Sequence, residues 1–242
     1  MSVGVVGLVF FLAASALAYV LLNFPPLDSS QREKLKLPGS MSDVKELREV
    51  VSQYTDNYYS TVILGFSLTY LFLQSFCIPG SIFLSFLAGS LFGIAVGIPL
   101  VCFLSACGAS GAYWLSFFFG RSFLDYFCSD KTKLFQEKLD QQRENIFFYF
   151  LFLRFSPLFP NWLVNIGSPV CKVPFLVFWV GTFIGVFPQT FIAVNAGLRL
   201  QEINDPKEIL DYRTFSILLM ISLLTILPTF LKNRLLKKQK DS

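Results

Sequence analysis

The sequence predicts an all-α polytopic membrane protein whose core is an inverted repeat of two re-entrant helical hairpins. Three observations carry that expectation. Of the 242 side chains 54% are apolar and 17% aromatic, against 15% charged, and the mean hydropathy is +0.58. A soluble domain of this length has too little interior to hide so much apolar surface. Two runs, 57–120 and 145–198, carry almost no charge, and each is too long for one span of about 20 residues. Both runs are broken by helix-stopping residues, Pro79-Gly80 in the first and Pro157 with Pro160 in the second. Such breaks free backbone groups at membrane depth, which is tolerable only inside protein or beside water.

The elements follow in order. Residues 3–22 form one uncharged stretch of bilayer length. "ALA" at 16–18 would suit a signal peptidase, but no basic residue precedes the apolar run, so an uncleaved anchor is expected. Residues 23–56 are a polar connector that includes a short amphipathic helix. Val44, Leu47, Val50, Val51 and Tyr54 recur at helical spacing, with Ser42 as its N-cap. This helix is expected on the membrane surface or against the bundle.

The membrane core is expected over 57–198. From Asn57 to Gly120 there is no charged residue, which leaves either three spans with almost no loop or two spans flanking a re-entrant hairpin. The hairpin is favoured, at about 79–97, starting in "CIPGSIFLSFLAGSLFG". Residues 121–145, with five basic and five acidic side chains, read as a charged helical stretch outside the membrane. Residues 146–170 read as a second broken hairpin and Val173 to Ala196 as a span. A polar loop (199–214), a last span (215–231) and a basic tail (232–242) complete the chain. The positive-inside rule places that tail in the cytosol. Counting back puts 121–145 and 23–56 on the same side and 199–214 in the lumen, if both broken segments turn back. The hairpins then enter from opposite faces, the layout in which broken segments meet near the midplane and build a site.

Arg154 is the candidate centre of that site. It is the only charge in the first 27 residues of the second run, and a central arginine costs roughly 2.5–3.5 kcal/mol on insertion scales. Glu144 lies ten residues earlier, or about 15 Å of helix, half the hydrocarbon thickness. That depth suits a wet cavity better than an arginine snorkelling to the interface. Pro157 and Pro160 break the helix just after it, and Ser156, Asn161, Asn165 and Ser168 can partner the freed carbonyls. The expected lining of a polar path is therefore Arg154, Asn161, Asn165, Ser81, Pro79, Gly80, Pro157, Pro160 and Gln189, with Asn195 a further candidate. The alternative is a kinked helix whose amides tie the bundle together. Gly89, Gly93 and Gly97, like Gly181 and Gly185, have the four-residue spacing of close helix packing.

Several chemistries are excluded or disfavoured. The chain has no histidine, which removes imidazole acid–base work and His-rich metal sites. Its five cysteines form no CxxC pair and read as small buried hydrophobes. There is no GxxxxGK[ST] phosphate loop and no nucleophile–base pair. No cofactor, no metal and no enzymatic reaction are expected, and nothing points to nucleic acid. Lys238 and Lys240 give K-x-K-x-x at the C-terminus, which resembles the dilysine retrieval signal of the endoplasmic reticulum.

"FLQSFCIPGSIFLSFLAGSLFG", "GASGAYWLSFFFGR", "FLFLRFSPLFPNWLVNIGSPV" and "VGTFIGVFPQTFIAVNAG" resemble the DedA (VTT) family of membrane proteins. The likeness is closest to its transmembrane protein 41 branch, nearer the B-type than the A-type, and covers nearly the whole chain. It implies two re-entrant hairpins in an inverted repeat. It also implies energy-independent phospholipid scrambling in the endoplasmic reticulum, serving autophagosome formation, lipid droplets and lipoprotein export. Implied partners are membrane phospholipids and the related vacuole membrane protein; a homo-oligomer is a further expectation. Phe150 and Arg154 match the family's F-x-x-x-R motif. Bacterial members carry an acid after the hairpin Pro-Gly and a second arginine beyond R-F-x-P, where this chain has Ser81 and Pro160-Asn161. That difference weakens the alternative, an ion- or proton-coupled transporter of the DedA type, which needs a titratable group at depth. A non-catalytic organiser acting through 23–56 and 121–145 is the third reading.

Overall fold

The chain turns at left-handed residues and at some of its prolines, while Pro99 and Pro169 lie inside helices. Elsewhere the computed structural model, which describes residues 3–22, 28–141, 145–200 and 212–240, is almost entirely helical. The helices are α1 (Val3–Leu22), α2 (Ser29–Lys34), α3 (Met41–Thr55), α4 (Tyr59–Ser75), α5 (Ser81–Gln141), α6 (Ile146–Phe155), α7 (Asn161–Val170), α8 (Phe175–Gly185), α9 (Phe187–Leu198) and α10 (Tyr212–Lys240). Ser81–Phe118 and Phe175–Leu198 are long and apolar enough to cross a membrane, and parts of α1, α6 and α10 are shorter apolar helices. The connector at 23–27, the polar loop at 201–211 and the charged segment at 142–144 lie outside the described residues.

Helix α3 starts two residues earlier than a Ser42 cap would have it. Ser40, not Ser42, is the N-cap: its Oγ accepts the Asp43 backbone N–H at 3.2 Å. Only with Ser40 as cap does Asp43 fall at the third helical position, where its carboxylate reaches back to the Gly39 N–H at 3.1 Å, a capping-box variant that serves the residue before the cap. Hydrogen bonds from Lys36, Ser40 and Gly39 hold the Asp43 carboxyl down to about 2. Met41, Val44, Leu47, Val50 and Val51 are buried, four of them in one cluster with α4 and α5. The helix therefore lies against the bundle.

Two left-handed residues end helices in the same way. Beyond α4, Cys77 has φ 54° and Ile78 N–H donates back to Leu73 O at 2.8 Å. Beyond α7, Lys172 has φ 56° and Val173 N–H donates to Ser168 O at 3.0 Å. Each is a Schellman closure followed at once by a residue and then a proline, which cannot continue the helix. A side chain in this conformation is strained by roughly 1–2 kcal/mol, and Lys172 is exposed. Lys172→Gly is therefore expected to stabilise the protein by about 0.5–1 kcal/mol, read as a higher thermal midpoint in detergent.

The first half folds back on itself twice. Gly80, at φ 123°, completes the turn out of α4. Helix α5 then reverses at Gly93, whose φ is 69°. A Cβ on Gly97 would stand 3.2 Å from Ala88 O, although residues nine apart on a straight helix are separated by about 13.5 Å. The Tyr70 hydroxyl lies 3.5 Å from Ser85 Oγ and 2.9 Å from Ser105 Oγ, joining residues 20 apart in α5. So 81–92 and 94–118 are antiparallel arms. Gly93 was expected to be a packing residue beside Gly89 and Gly97; that is corrected here, because a Cβ at Gly93 would meet nothing within 4 Å. Its work is the turn, which its positive φ requires.

The second half reverses at its prolines. Ser156, before Pro157, is pushed to the extended conformation (φ −69°, ψ 123°), which stops α6. Pro160 (φ −61°, ψ 135°) opens α7. Gly181 faces the Phe150 ring and Gly185 faces Arg154 Cβ. A step of four in α6 thus matches a step of four in α8, and the two helices run parallel. For α8 to start level with the start of α6, α7 must run back the other way. The turn at 156–160 then stands level with Val186 and Phe187, near the middle of the Phe175–Leu198 stretch. That stretch, expected as one span, pauses at Val186 and resumes at Phe187 with Pro188 in the next turn.

The halves interlock. Ser116 Oγ donates to Ile166 O of α7 at 2.7 Å and Tyr113 Oη to Val173 O, between α7 and α8, at 2.8 Å. Gly89 lies on the Val194 backbone and Gly197 on the Phe86 backbone, so α9 and the first arm of α5 cross in direct contact. Helix α10 packs on α6, and the Phe10 ring of α1 meets Phe72 of α4 at a tilt and Phe76, just past α4, edge-on.

Candidate functional site

The site is built where the two breaks meet. Arg154, in the last turn of α6, is 1% exposed, the largest fully buried side chain among the described residues. The α8 glycines make room for it: Gly181 accommodates Phe150 and Gly185 the stem of Arg154. The guanidinium then points back along the helix, as helical side chains do, and its Cζ lies 5.0 Å from the Phe150 ring centre and 5.1 Å from that of Phe178. These are cation–π contacts, worth roughly 0.5–2 kcal/mol each depending on desolvation. They do not satisfy its hydrogen-bonding groups. Nε and Nη2 are buried with no hydrogen-bond partner in the protein, and so is Asn165 Oδ1.

Arg154 and Asn165 both line a cavity of about 130 Å³. The first half contributes Gln74 and Ser81 from either side of its break, with Tyr70, Ser85 and Ser105. The second half contributes Arg154, Asn161 and Asn165 around its own break, and Thr182, Gln189 and Thr190 from α8 and α9. No carboxylate lines the cavity among the described residues. A cavity rich in hydroxyls and amides around one unneutralised guanidinium is a site for water and an anion.

Gln189 fixes the second break. Its Nε2 donates to Arg154 O at 3.2 Å, a carbonyl freed where α6 ends, and its Oε1 accepts from Asn161 Nδ2 at 3.3 Å. Asn161 sits at the start of α7 but spends its amide on Gln189 rather than on capping. A second cavity of about 250 Å³ adjoins the first, sharing Ile82, Asn161, Gln189 and Ala193, and is otherwise lined by Phe86, Pro157, Phe159, Pro160, Ile192 and Leu218.

Of the residues singled out from sequence, Arg154, Asn161, Asn165, Ser81 and Gln189 share the first cavity, and Pro157 and Pro160 line the second. Pro79 and Gly80 line neither. They form the turn before α5, where a Cβ on Gly80 would stand 3.6 Å from Pro38 O. Asn195 is exposed and away from both cavities. Lys238 and Lys240 fall in the last turn of α10, with their side chains outside the described residues. Gln74, Thr182 and Thr190 were missed. Thr182, Val186, Gln189/Thr190 and Ala193 recur at helical spacing, so a search for one polar face across 182–193 finds the last two.

Comparison with known proteins bears on this arrangement. A family model described as the VTT domain matches residues 78–199, which includes both arms of α5 and all of α6 to α9. The chain is 46% identical over 214 residues to a transmembrane protein 41 homolog of Dictyostelium discoideum, covering 88% of this chain and 64%, less than two thirds, of that protein's length. It is 41% identical over 230 residues to transmembrane protein 41B of Xenopus tropicalis, covering 95% of this chain and 83% of that one. The human protein of that name is 39% identical over 230 residues, covering 95% and 79%. No solved structure matches.

Proposed function

The chain belongs to the VTT-domain family, in its transmembrane protein 41 branch, and we propose that it is an energy-independent phospholipid scramblase of the endoplasmic reticulum membrane. One observation carries the reading: a fully buried arginine with unpartnered Nε and Nη2 faces a polar cavity between two helix breaks. Moving a headgroup through hydrocarbon without solvation is prohibitive. A chain of hydroxyls and amides beside one guanidinium lowers that barrier for a phosphodiester, while the acyl chains remain in lipid.

We read the chain reversals at 76–80 and 156–160 as the tips of re-entrant hairpins, which moves the first from the expected 79–97 to the turn that precedes α5. The second starts beside Asn145 and Lys172 and advances nine residues to Arg154, about 13.5 Å of helix, which is close to half of a 30 Å hydrocarbon core. Leu158, Phe159, Trp162 and Leu163 are exposed around its tip, as lipid contact would require. Lys238 and Lys240 fit retrieval to the endoplasmic reticulum. Supply of lipid to autophagosomes, lipid droplets and lipoproteins, pairing with the related vacuole membrane protein and self-association belong to the same reading.

The test is reconstitution into liposomes carrying a trace of fluorescent phospholipid, bleached from outside without ATP or an ion gradient. Protein-containing liposomes are expected to lose inner-leaflet label as well as outer. The rate is expected to be flat between about pH 6 and 8, because no carboxylate lines the cavity among the described residues and the chain has no histidine. Inner-leaflet label retained as in protein-free liposomes overturns the proposal. Flipping that appears only under an imposed proton gradient replaces it with the coupled transporter.

A further inference from the structure

Arg154 and Asn165 each lack a partner of the kind the other supplies. The guanidinium has two donors, Nε and Nη2, that are buried without a hydrogen bond, and Asn165 Oδ1 is an acceptor in the same condition. Both side chains line the polar cavity of about 130 Å³, where no carboxylate stands among the described residues. The topology puts them at one level. The chain reverses between α6 and α7, about residue 158, so Asn165 comes level with Leu151. The Arg154 guanidinium lies back beside the Phe150 ring, one residue from that level. Val164, next to Asn165, belongs to one buried cluster with Phe150 and Phe178. Donor and acceptor thus flank one cavity with no bond between them.

We propose that Asn165 is the positioning residue of a two-place switch in the Arg154 side chain. In the place the structure shows, the guanidinium is parked on the Phe150 and Phe178 rings, 5.0 and 5.1 Å from their centres. In the other place it leaves the rings and donates across the cavity to Asn165 Oδ1, a charge-assisted bond that gives both orphans a partner. The stem of Arg154 stays where it is, because the absent side chain of Gly185 leaves the slot for its Cβ and Cγ. The outer torsions alone carry the head between staggered wells. Two ring contacts in a dry site and one charge-assisted bond are of similar strength, so both places are populated and a small bias selects between them. Parked, the cation is withheld from the cavity; docked, it stands in it. A guanidinium whose Nε and Nη2 are out of reach can act through them on nothing until it moves. The switch is a property of the protein alone, whatever passes through the cavity, and it adds an off state to the scrambling reading.

The experiment is NMR of the purified full chain in detergent, isotope-labelled at its arginines. The signal followed is the Nε–Hε correlation that disappears in Arg154→Lys. Aromatic rings shift protons over their faces upfield, so this signal reports how much of the time the guanidinium is parked. Asn165→Leu keeps the size of the side chain and removes the acceptor, and is expected to move the signal upfield. Asn165→Asp strengthens the acceptor, and is expected to move it downfield and to raise the thermal midpoint. Gly167→Ala, in the same helix with nothing within 4 Å of the added Cβ, is expected to leave the signal in place. In liposomes Asn165→Leu is expected to flip phospholipid about tenfold more slowly. A signal that does not move, or that moves the same way in Asn165→Leu, Asn165→Asp and Gly167→Ala, overturns the inference. So does an unchanged flip rate in Asn165→Leu. If that variant does not fold, a signal left upfield in folded Asn165→Asp decides against the switch. Opposite displacements in a protein that flips no lipid leave the switch standing and remove scrambling; wild-type flipping with an unresponsive signal does the reverse.

Discussion

Arg154→Met is expected to slow phospholipid flipping by about 10- to 100-fold while leaving the protein as stable as before or slightly more so. The rate estimate follows from losing hydrogen bonds to a charged group, worth about 1.5–3 kcal/mol, at about 1.4 kcal/mol per factor of ten. The stability estimate has the opposite sign from an ordinary core truncation. The guanidinium is 1% exposed and two of its nitrogens have no partner. Removing it relieves roughly 2.5–3.5 kcal/mol of burial. Lost cation–π contacts with Phe150 and Phe178 offset part of that, at roughly 0.5–2 kcal/mol each. Methionine also fills the slot beside Gly185 with a flexible apolar chain of similar length. Arg154→Lys keeps the charge but presents a point cation instead of a fork, so its flip rate should fall between the two. The measurement is a flip rate per folded molecule together with a thermal midpoint in detergent. A midpoint that collapses in Arg154→Met, with flipping per folded molecule unchanged, would make Arg154 a structural residue and end its role in the lipid path.

That combination of signs also explains why Arg154 was the most legible residue in the sequence. An unpaired charge in an apolar run violates a strong rule, and prolines three and six residues later bound its environment. Asn161, Asn165 and Gln189 were visible for the same reason, as amides where lipid-facing helices carry none. Gln74, Thr182 and Thr190 were not. A threonine in an apolar helix bonds back to its own backbone, as Thr182 Oγ1 does to Phe178 O at 2.6 Å, and so raises no alarm. Gly93 shows a different limit. Its spacing from Gly89 and Gly97 is identical to that of a packing ladder, and spacing carries no information about φ. Only the contact of Gly97 with Ala88 distinguishes a turn from a seam. The match of Phe150 and Arg154 to Gly181 and Gly185 was present in the sequence as two four-residue spacings, but which pairs with which is a tertiary fact. The choice of Ser40 over Ser42 as a cap was decided by where Asp43 falls.

Gly89→Ala and Gly197→Ala are each expected to destabilise the protein by about 3 kcal/mol, at the upper end of what overpacking costs. The reason is what the new methyl would meet. At Gly89 it falls on the carbonyl of Val194, and at Gly197 on the carbonyl of Phe86. Neither is the end of a side chain that can swing aside; both are backbone, so a whole helix must move. Gly167 supplies the contrast. It lies in α7 with nothing within 4 Å of an added Cβ, so Gly167→Ala should stabilise by about 0.5–1 kcal/mol through helix propensity alone. The two crossing glycines should also fail to add. Once one methyl has parted α9 from the first arm of α5, the second enters space already opened, giving a coupling of about 0.5–3 kcal/mol in the double variant. Function should follow the same geometry, because these elements carry opposite walls of the cavity: Ser81 and Ser85 on one, Gln189, Thr190 and Ala193 on the other. Forced apart, they open the polar chamber without touching Arg154. Thermal midpoints of the three single variants and the double variant decide the matter. Additive losses, or a Gly89→Ala protein as stable as Gly167→Ala, would mean that the helices do not cross backbone to backbone.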